Sequence, residues 1–122
     1  MTFEQRLVWL AAAIDYEGTI VPYASRSGRT STTMRFEVTV GNTDERLVRE
    51  VARSLEVLDV AHSIKMQTRR TPHKTCWYVT CGGGVGVEKV LSAVLPFLIS
   101  KKERAELVLS MIRHRREQRK GR

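Results

Sequence analysis

The chain has 122 residues, 42% of them hydrophobic, enough for one domain of ordinary size and too few for two independent cores. A chain this long buries roughly two-thirds of its unfolded surface, so stability requires neither disulfides nor a structural metal. Lys and Arg number 21 against 13 Asp and Glu, a net charge of +8, which argues against cationic substrates and for a polyanionic partner, nucleic acid first.

Thr2 and Gln5 form a capping box, and Leu7, Leu10, Ala11 and Ile14 recur at helical spacing. They predict a first helix from about Phe3 to Asp15, ended at Gly18. β-branched and aromatic residues from Thr19 to Ser25, a turn-like stretch from Arg26 to Arg29, and the alternation of Met34, Phe36, Val38 and Val40 predict a hairpin. Asn42 with Glu45 signals another cap, and Leu47, Val48, Val51 and Leu55 give the stripe of a second helix. Ile64 and Met66, then Trp77, Val79 and Cys81, alternate with polar neighbours across a turn from Arg70 to His73, a second hairpin. The cluster Gly82, Gly83, Gly84 and Gly86 breaks the strand, and a helix is predicted from Val87 to Leu95 before Pro96. Ser100 and Glu103 form a further capping box, opening a last helix on Ala105, Leu107, Val108, Met111 and Ile112 that dissolves from Arg113 into a basic tail. The expected organisation is a domain over 1–113 and a flexible basic tail over 114–122. The order α-β-β-α-β-β-α-α, without internal repeat, predicts an α+β fold with helices on one face of an antiparallel sheet.

Projected onto that sheet, one face holds Ile20, Met34, Phe36, Val38, Ile64, Met66, Trp77 and Val79, which the helices should cover. The other holds Val21, Tyr23, Ser25, Ser31, Thr33, Arg35, Glu37, Lys65, Gln67, Arg69, Lys74, Cys76, Tyr78 and Thr80. An antiparallel ribbon fits the major groove of DNA, where Arg and Lys pair with guanine, Gln with adenine and Glu with cytosine. Arg26, Arg29, Arg70, His73 and the tail are expected on phosphates. The run Leu7 to Ile14 has eight residues against the ~20 that span a bilayer, and Glu4 cancels the charge of Arg6, so neither a membrane span nor export is expected. Cys76 and Cys81 have opposite strand parity and are expected neither to bridge nor to share a metal, which suits a reducing cytoplasm or organelle matrix. The glycine cluster lacks the ending of a P-loop, and His62, His73 and His114 have no coordinating neighbours in sequence.

Leu10-Ala-Ala-Ala-Ile-Asp-Tyr-Glu-Gly18 resembles the motif of the LAGLIDADG homing endonucleases, identical at Leu10, Ala11, Ile14, Asp15 and Gly18, with Glu17 in place of Asp. Leu95-Pro-Phe-Leu-Ile-Ser-Lys-Lys-Glu-Arg-Ala105 resembles the family's second recurring segment. Tyr16 departs from the pattern, a bulky residue where the family places a small one. The motif also reads on physical grounds. Small residues let a second helix approach closely, and acidic side chains at a helix C-terminus oppose the macrodipole unless something positive, such as a divalent cation, offsets them.

The resemblance implies the family's αββαββα(α) domain with a saddle-shaped four-stranded sheet. It implies a homodimer joined through the first helices, with Leu7, Leu10, Ala11, Ile14 and Asp15 at the interface. Two-fold symmetry then supplies the second carboxylate that one motif cannot. Glu17 would hold Mg²⁺, with two or more ions per dimer, and the backbone carbonyl of Tyr16 would be a second ligand. Lys101, with Lys102 as runner-up, would stand near the scissile phosphate, and Asn42 would hold metal-site water. The implied activity is Mg²⁺-dependent cleavage of both strands of a long, near-palindromic duplex. A catalytically degenerate DNA-binding regulator and an intron-RNA splicing cofactor are the alternatives.

Overall fold

The hydroxyl of Thr2 accepts the Gln5 N–H at 3.1 Å, and the Thr2 N–H donates to Gln5 Oε1 at 2.8 Å. This closed capping box starts α1, Phe3–Glu17. At Gly18 the chain passes directly into a strand, and a Cβ there would lie 2.7 Å from the Ile14 carbonyl oxygen, so the tight exit requires glycine. The computed structural model describes residues 1–27, 31–68 and 74–120, the backbone alone at 25–27 and 31–32. After α1 come β1 (Gly18–Ser27), β2 (Ser31–Asn42), α2 (Glu45–Val57), β3 (Ser63–Thr68), β4 (Thr75–Gly82), α3 (Gly84–Val94), a single 3-10 turn (Leu95–Phe97) and α4 (Lys102–Lys120).

The strands form one antiparallel sheet in the order β1-β2-β4-β3. Its register aligns Ile20 with Val38 and Cys81, and Val40 with Val79 and Ile64. These share one face with Phe36, and the helices bury it: Leu10, Ile14, Val48, Val51, Leu91, Val108 and Leu109 complete the core. The opposite face is open. Among the described residues no helix is long and apolar enough to cross a membrane.

Several boundaries differ from expectation, each for a local reason. Asp44, and not Asn42, caps α2: its carboxylate accepts the Arg46 N–H at 3.0 Å, while Asn42 Oδ1 accepts the Asp44 N–H at 2.8 Å. Helix α3 begins at Gly84, before Val87, and Gly83 at φ 93° makes the turn that glycine permits. Inside the helix a Cβ on Gly84 would meet Ile112 at 3.6 Å and one on Gly86 would meet Val60 at 3.4 Å, ordinary contacts that do not themselves require glycine. Ser100 forms no capping box; its hydroxyl turns to Asp15. On α4 the inward residue is Leu109, and Leu107 is exposed. That helix continues to Lys120 where a tail was expected from Arg113, with Arg113 and Arg116 both reaching Glu88 of α3. Met34 and Met66, expected under the helices, are exposed. Met34 lies beyond the end of β4, which pairs with β2 only from Glu37 to Asn42, and Met66 lies on the edge strand.

Candidate functional site

The C-terminal end of α1 meets the N-terminal end of α4 through Asp15. Its carboxylate accepts the backbone N–H groups of Ile99 at 2.8 Å and Lys101 at 3.0 Å, and the Ser100 hydroxyl at 3.1 Å. Asp15 thus pins the turn that leads into α4, where the positive end of that helix dipole favours a carboxylate. Partial burial works against its charge, but the amides of Ile99 and Lys101, the Ser100 hydroxyl and the Lys101 ammonium together hold the carboxyl below its ordinary value. In return, Lys101 Nζ donates to the Asp15 carbonyl oxygen at 2.5 Å. The last turn of α1 has no basic residue of its own, so Lys101 brings the cation that its dipole favours. The positive charge that the sequence demanded at this helix end is in part already present in the protein.

Glu17, the last residue of α1, is exposed, and among the described residues no hydrogen bond or ion pair engages its carboxylate. The two acids of the motif therefore differ: among the described residues Asp15 is occupied and Glu17 is free. Tyr16 between them is 85% exposed. Asn42 falls on the helix-covered side of the sheet, opposite Trp77, with its oxygen committed to the turn into α2. Gly41 is the β2 residue on the open side, and the Tyr78 ring occupies the space a Cβ there would fill. No group of three or more His, Cys, Asp or Glu side chains that could hold a metal occurs among the described residues. The described residues of one chain thus offer no closed cation site. They offer a free carboxylate beside main-chain carbonyls, a donor set that fits a hard cation keeping several waters.

The register places Val21, Tyr23, Thr33, Arg35, Glu37, Lys65, Gln67, Cys76, Tyr78 and Thr80 together on the open face. Thr39 joins them, its hydroxyl donating to Glu37 Oε1 at 3.0 Å and lying 3.1 Å from the Thr80 hydroxyl. Arg35, Lys65 and Gln67 are exposed, as is Lys74 just before β4. The side chains of Ser25, Arg26 and Ser31 lie outside the described residues, as do Arg29, Arg69, Arg70 and His73. Cys76 shares the open face, while Cys81 is buried on the other, where desolvation pushes its thiol up to about 11.

The expected interface stripe requires correction. Leu7, Leu10, Ala11 and Ile14 are buried within the chain itself, Leu10 at 1% exposure, so a second copy cannot reach them. Asp15 is engaged by α4. The outward face of α1 carries Val8 at 47% exposure, Trp9, Ala12 and Tyr16, and an apolar groove of about 700 Å³ runs past Met1, Val8, Trp9 and Ala12. The signal in the sequence was a second set of residues at helical spacing, offset by one position from the core stripe.

No protein-family model and no curated protein matches the sequence. Solved structures do. The homing endonuclease I-CvuI, in complex with the I-CreI target in the presence of 2 mM Mg with the DNA not cleaved, superposes with a TM-score of 0.75 at 22% identity, over 91% of this chain and 68% of its own. The archaeal intron-encoded homing endonuclease I-Vdi141I, complexed with DNA, gives 0.70 at 13% identity, over 92% and 69%. The LAGLIDADG homing endonuclease I-GzeII, in complex with its DNA target, gives 0.68 at 14% identity, over 92% of this chain and 36% of its own. Helix order, strand order and the motif that ends α1 converge on one architecture, and this chain has the LAGLIDADG homing endonuclease fold.

Proposed function

We propose that the chain is one subunit of a homodimeric, site-specific DNA endonuclease that cleaves both strands of a long, near-palindromic duplex with Mg²⁺. The observation that carries this reading is the free Glu17 carboxylate at the end of a helix whose outward side is also apolar. A helix with apolar residues on both sides calls for burial on both, and a two-fold partner on Val8, Trp9 and Ala12 would bring a second Glu17 alongside the first. DNA in the solved relatives, the net charge of +8 and the open polar sheet face support duplex DNA as the substrate.

Glu17 and the Tyr16 carbonyl would hold the cation, which when bound stabilises charge on the attacking and leaving oxygens. Asp15 orients that carboxylate indirectly, by fixing the end of α1 to α4. Lys101 donates from its ammonium to the carbonyl of Asp15, two positions before Glu17, and at that helix end it can favour a phosphate undergoing attack. The open face binds and aligns the duplex, with Lys65 and Gln67 available to base edges.

One observation favours the catalytically silent DNA-binding alternative. The exposed Tyr16 ring lies beside Glu17 where two copies would meet, and its bulk would widen the gap between the paired carboxylates. The two readings separate on one experiment: selection from a randomised duplex library, followed by cutting assays with the unsubstituted chain and Glu17→Gln. The nuclease reading expects Mg²⁺-dependent cutting that falls at least about 100-fold in the variant while binding persists. Undiminished cutting by Glu17→Gln overturns the assignment. Binding without cutting by the unsubstituted chain selects the silent reading, and preference for structured RNA at the same salt excludes both.

A further inference from the structure

Where β4 ends at Gly82, β2 continues for residues that no strand of the sheet pairs with on that side. The C-terminal half of α4 occupies the vacated edge. Arg115 donates to the Met34 carbonyl and lies with its guanidinium 4.8 Å from the centre of the Phe36 ring. Its neighbour one turn on, Arg119, and Arg35 of β2 join it around a notch of about 480 Å³, lined also by Tyr23, Thr33 and the glycine turn Gly82 to Gly84. Burial first, and then the charges of Arg119 and Arg35, press Arg115 below the ordinary guanidinium value. Among the described residues neither Arg35 nor Arg119 has a carboxylate partner. Three like charges around one opening repel unless an anion occupies it.

We propose that this notch is a clamp for a backbone phosphate of duplex DNA, with Arg115 as its structural base and Arg119 and Arg35 as its reaching groups. The inference rests on the DNA-binding reading above and adds a site far from the cutting centre. Arg35 pairs with Tyr23, five residues along β1 from Gly18, which is roughly 17 Å of extended strand and about five base-pair steps of a duplex. Arginine suits this position, because its planar fork meets two phosphate oxygens at once. A contact of this kind fixes the flank of the duplex and carries no base preference.

The test is duplex binding by the full chain over a range of salt concentrations, using a 30-base-pair DNA of random sequence. Arg119→Gln should flatten the log–log salt slope by about 0.9 for each protomer on the DNA and weaken binding about fivefold per protomer at 0.15 M salt. Arg119→Lys should keep most of the slope, and Lys89→Gln, on the outer side of α3, should leave it unchanged. Arg119 is an exposed residue near a helix end, so its replacement leaves the fold intact, which circular dichroism verifies. An unaltered slope in Arg119→Gln, with the unsubstituted chain binding normally, overturns the clamp and leaves the DNA reading standing. Equal flattening in Lys89→Gln also overturns it, since charge anywhere would then suffice. No duplex binding by the unsubstituted chain overturns the DNA reading, and the clamp with it.

Discussion

Asp15 and Glu17 stand two positions apart, yet they have different physical lives. Asp15 sits at the wrong end of its own helix and is stable because two amides and a hydroxyl of the turn leading into α4 bind its charge. Because its folded carboxyl lies below the ordinary value of 3.8, the unfolded chain takes up the proton first. The stabilisation is therefore complete above about pH 4 and is lost as the pH falls through the folded value. Asp15→Asn should lower stability by about 0.3–1 kcal/mol at neutral pH, the worth of a negative charge at a helix N-terminus, and the gap in urea midpoints should close below about pH 4. A gap that stays constant with pH means the charge is not what binds the two helices. Both acids were visible in the sequence, but not which of them was already engaged, because the groups that engage Asp15 lie 84 to 86 positions away.

The elements themselves were legible where a cap or an alternation was local. The Thr2 box, the Gly18 exit, both hairpins and the stripe of α2 follow from neighbours within a few residues. Legibility failed where local signals were degenerate or partners distant. Helix α3 begins at the turn that Gly83 makes at φ 93°, which a cluster of four glycines does not pin to one position, and α4 runs on past Arg113 with Arg113 and Arg116 paired to Glu88, 25 and 28 positions away. Helix α1 shows a third kind of failure: its core stripe and its outward stripe are both apolar, and periodicity alone does not say which one a partner covers. The two are separable by substitution. Ala12→Asp should leave the fold intact and convert a dimer to a monomer in sedimentation at micromolar protein, whereas Leu10→Ala should cost about 2–5 kcal/mol of stability as a cavity in the core. An Ala12→Asp protein that sediments like the unsubstituted one places the second copy elsewhere.

Across the molecule, the division of labour follows the sheet. One side is sealed by four helices, and the other keeps its polar residues in solvent, with arginines gathered at its rim. The placement of the two thiols turns this sidedness into a pair of internal reporters. Cys81 is inaccessible and strongly protonated in the folded protein, so a maleimide reaches it only through unfolding, at a rate set by global opening. Cys76 looks out over the open side and should react in the native state. A duplex seated across the strands ought to slow alkylation of Cys76 in proportion to occupancy while leaving the slow rate at Cys81 to track stability alone. One reagent and two mass shifts would then read coverage and integrity of the same molecules in a single tube.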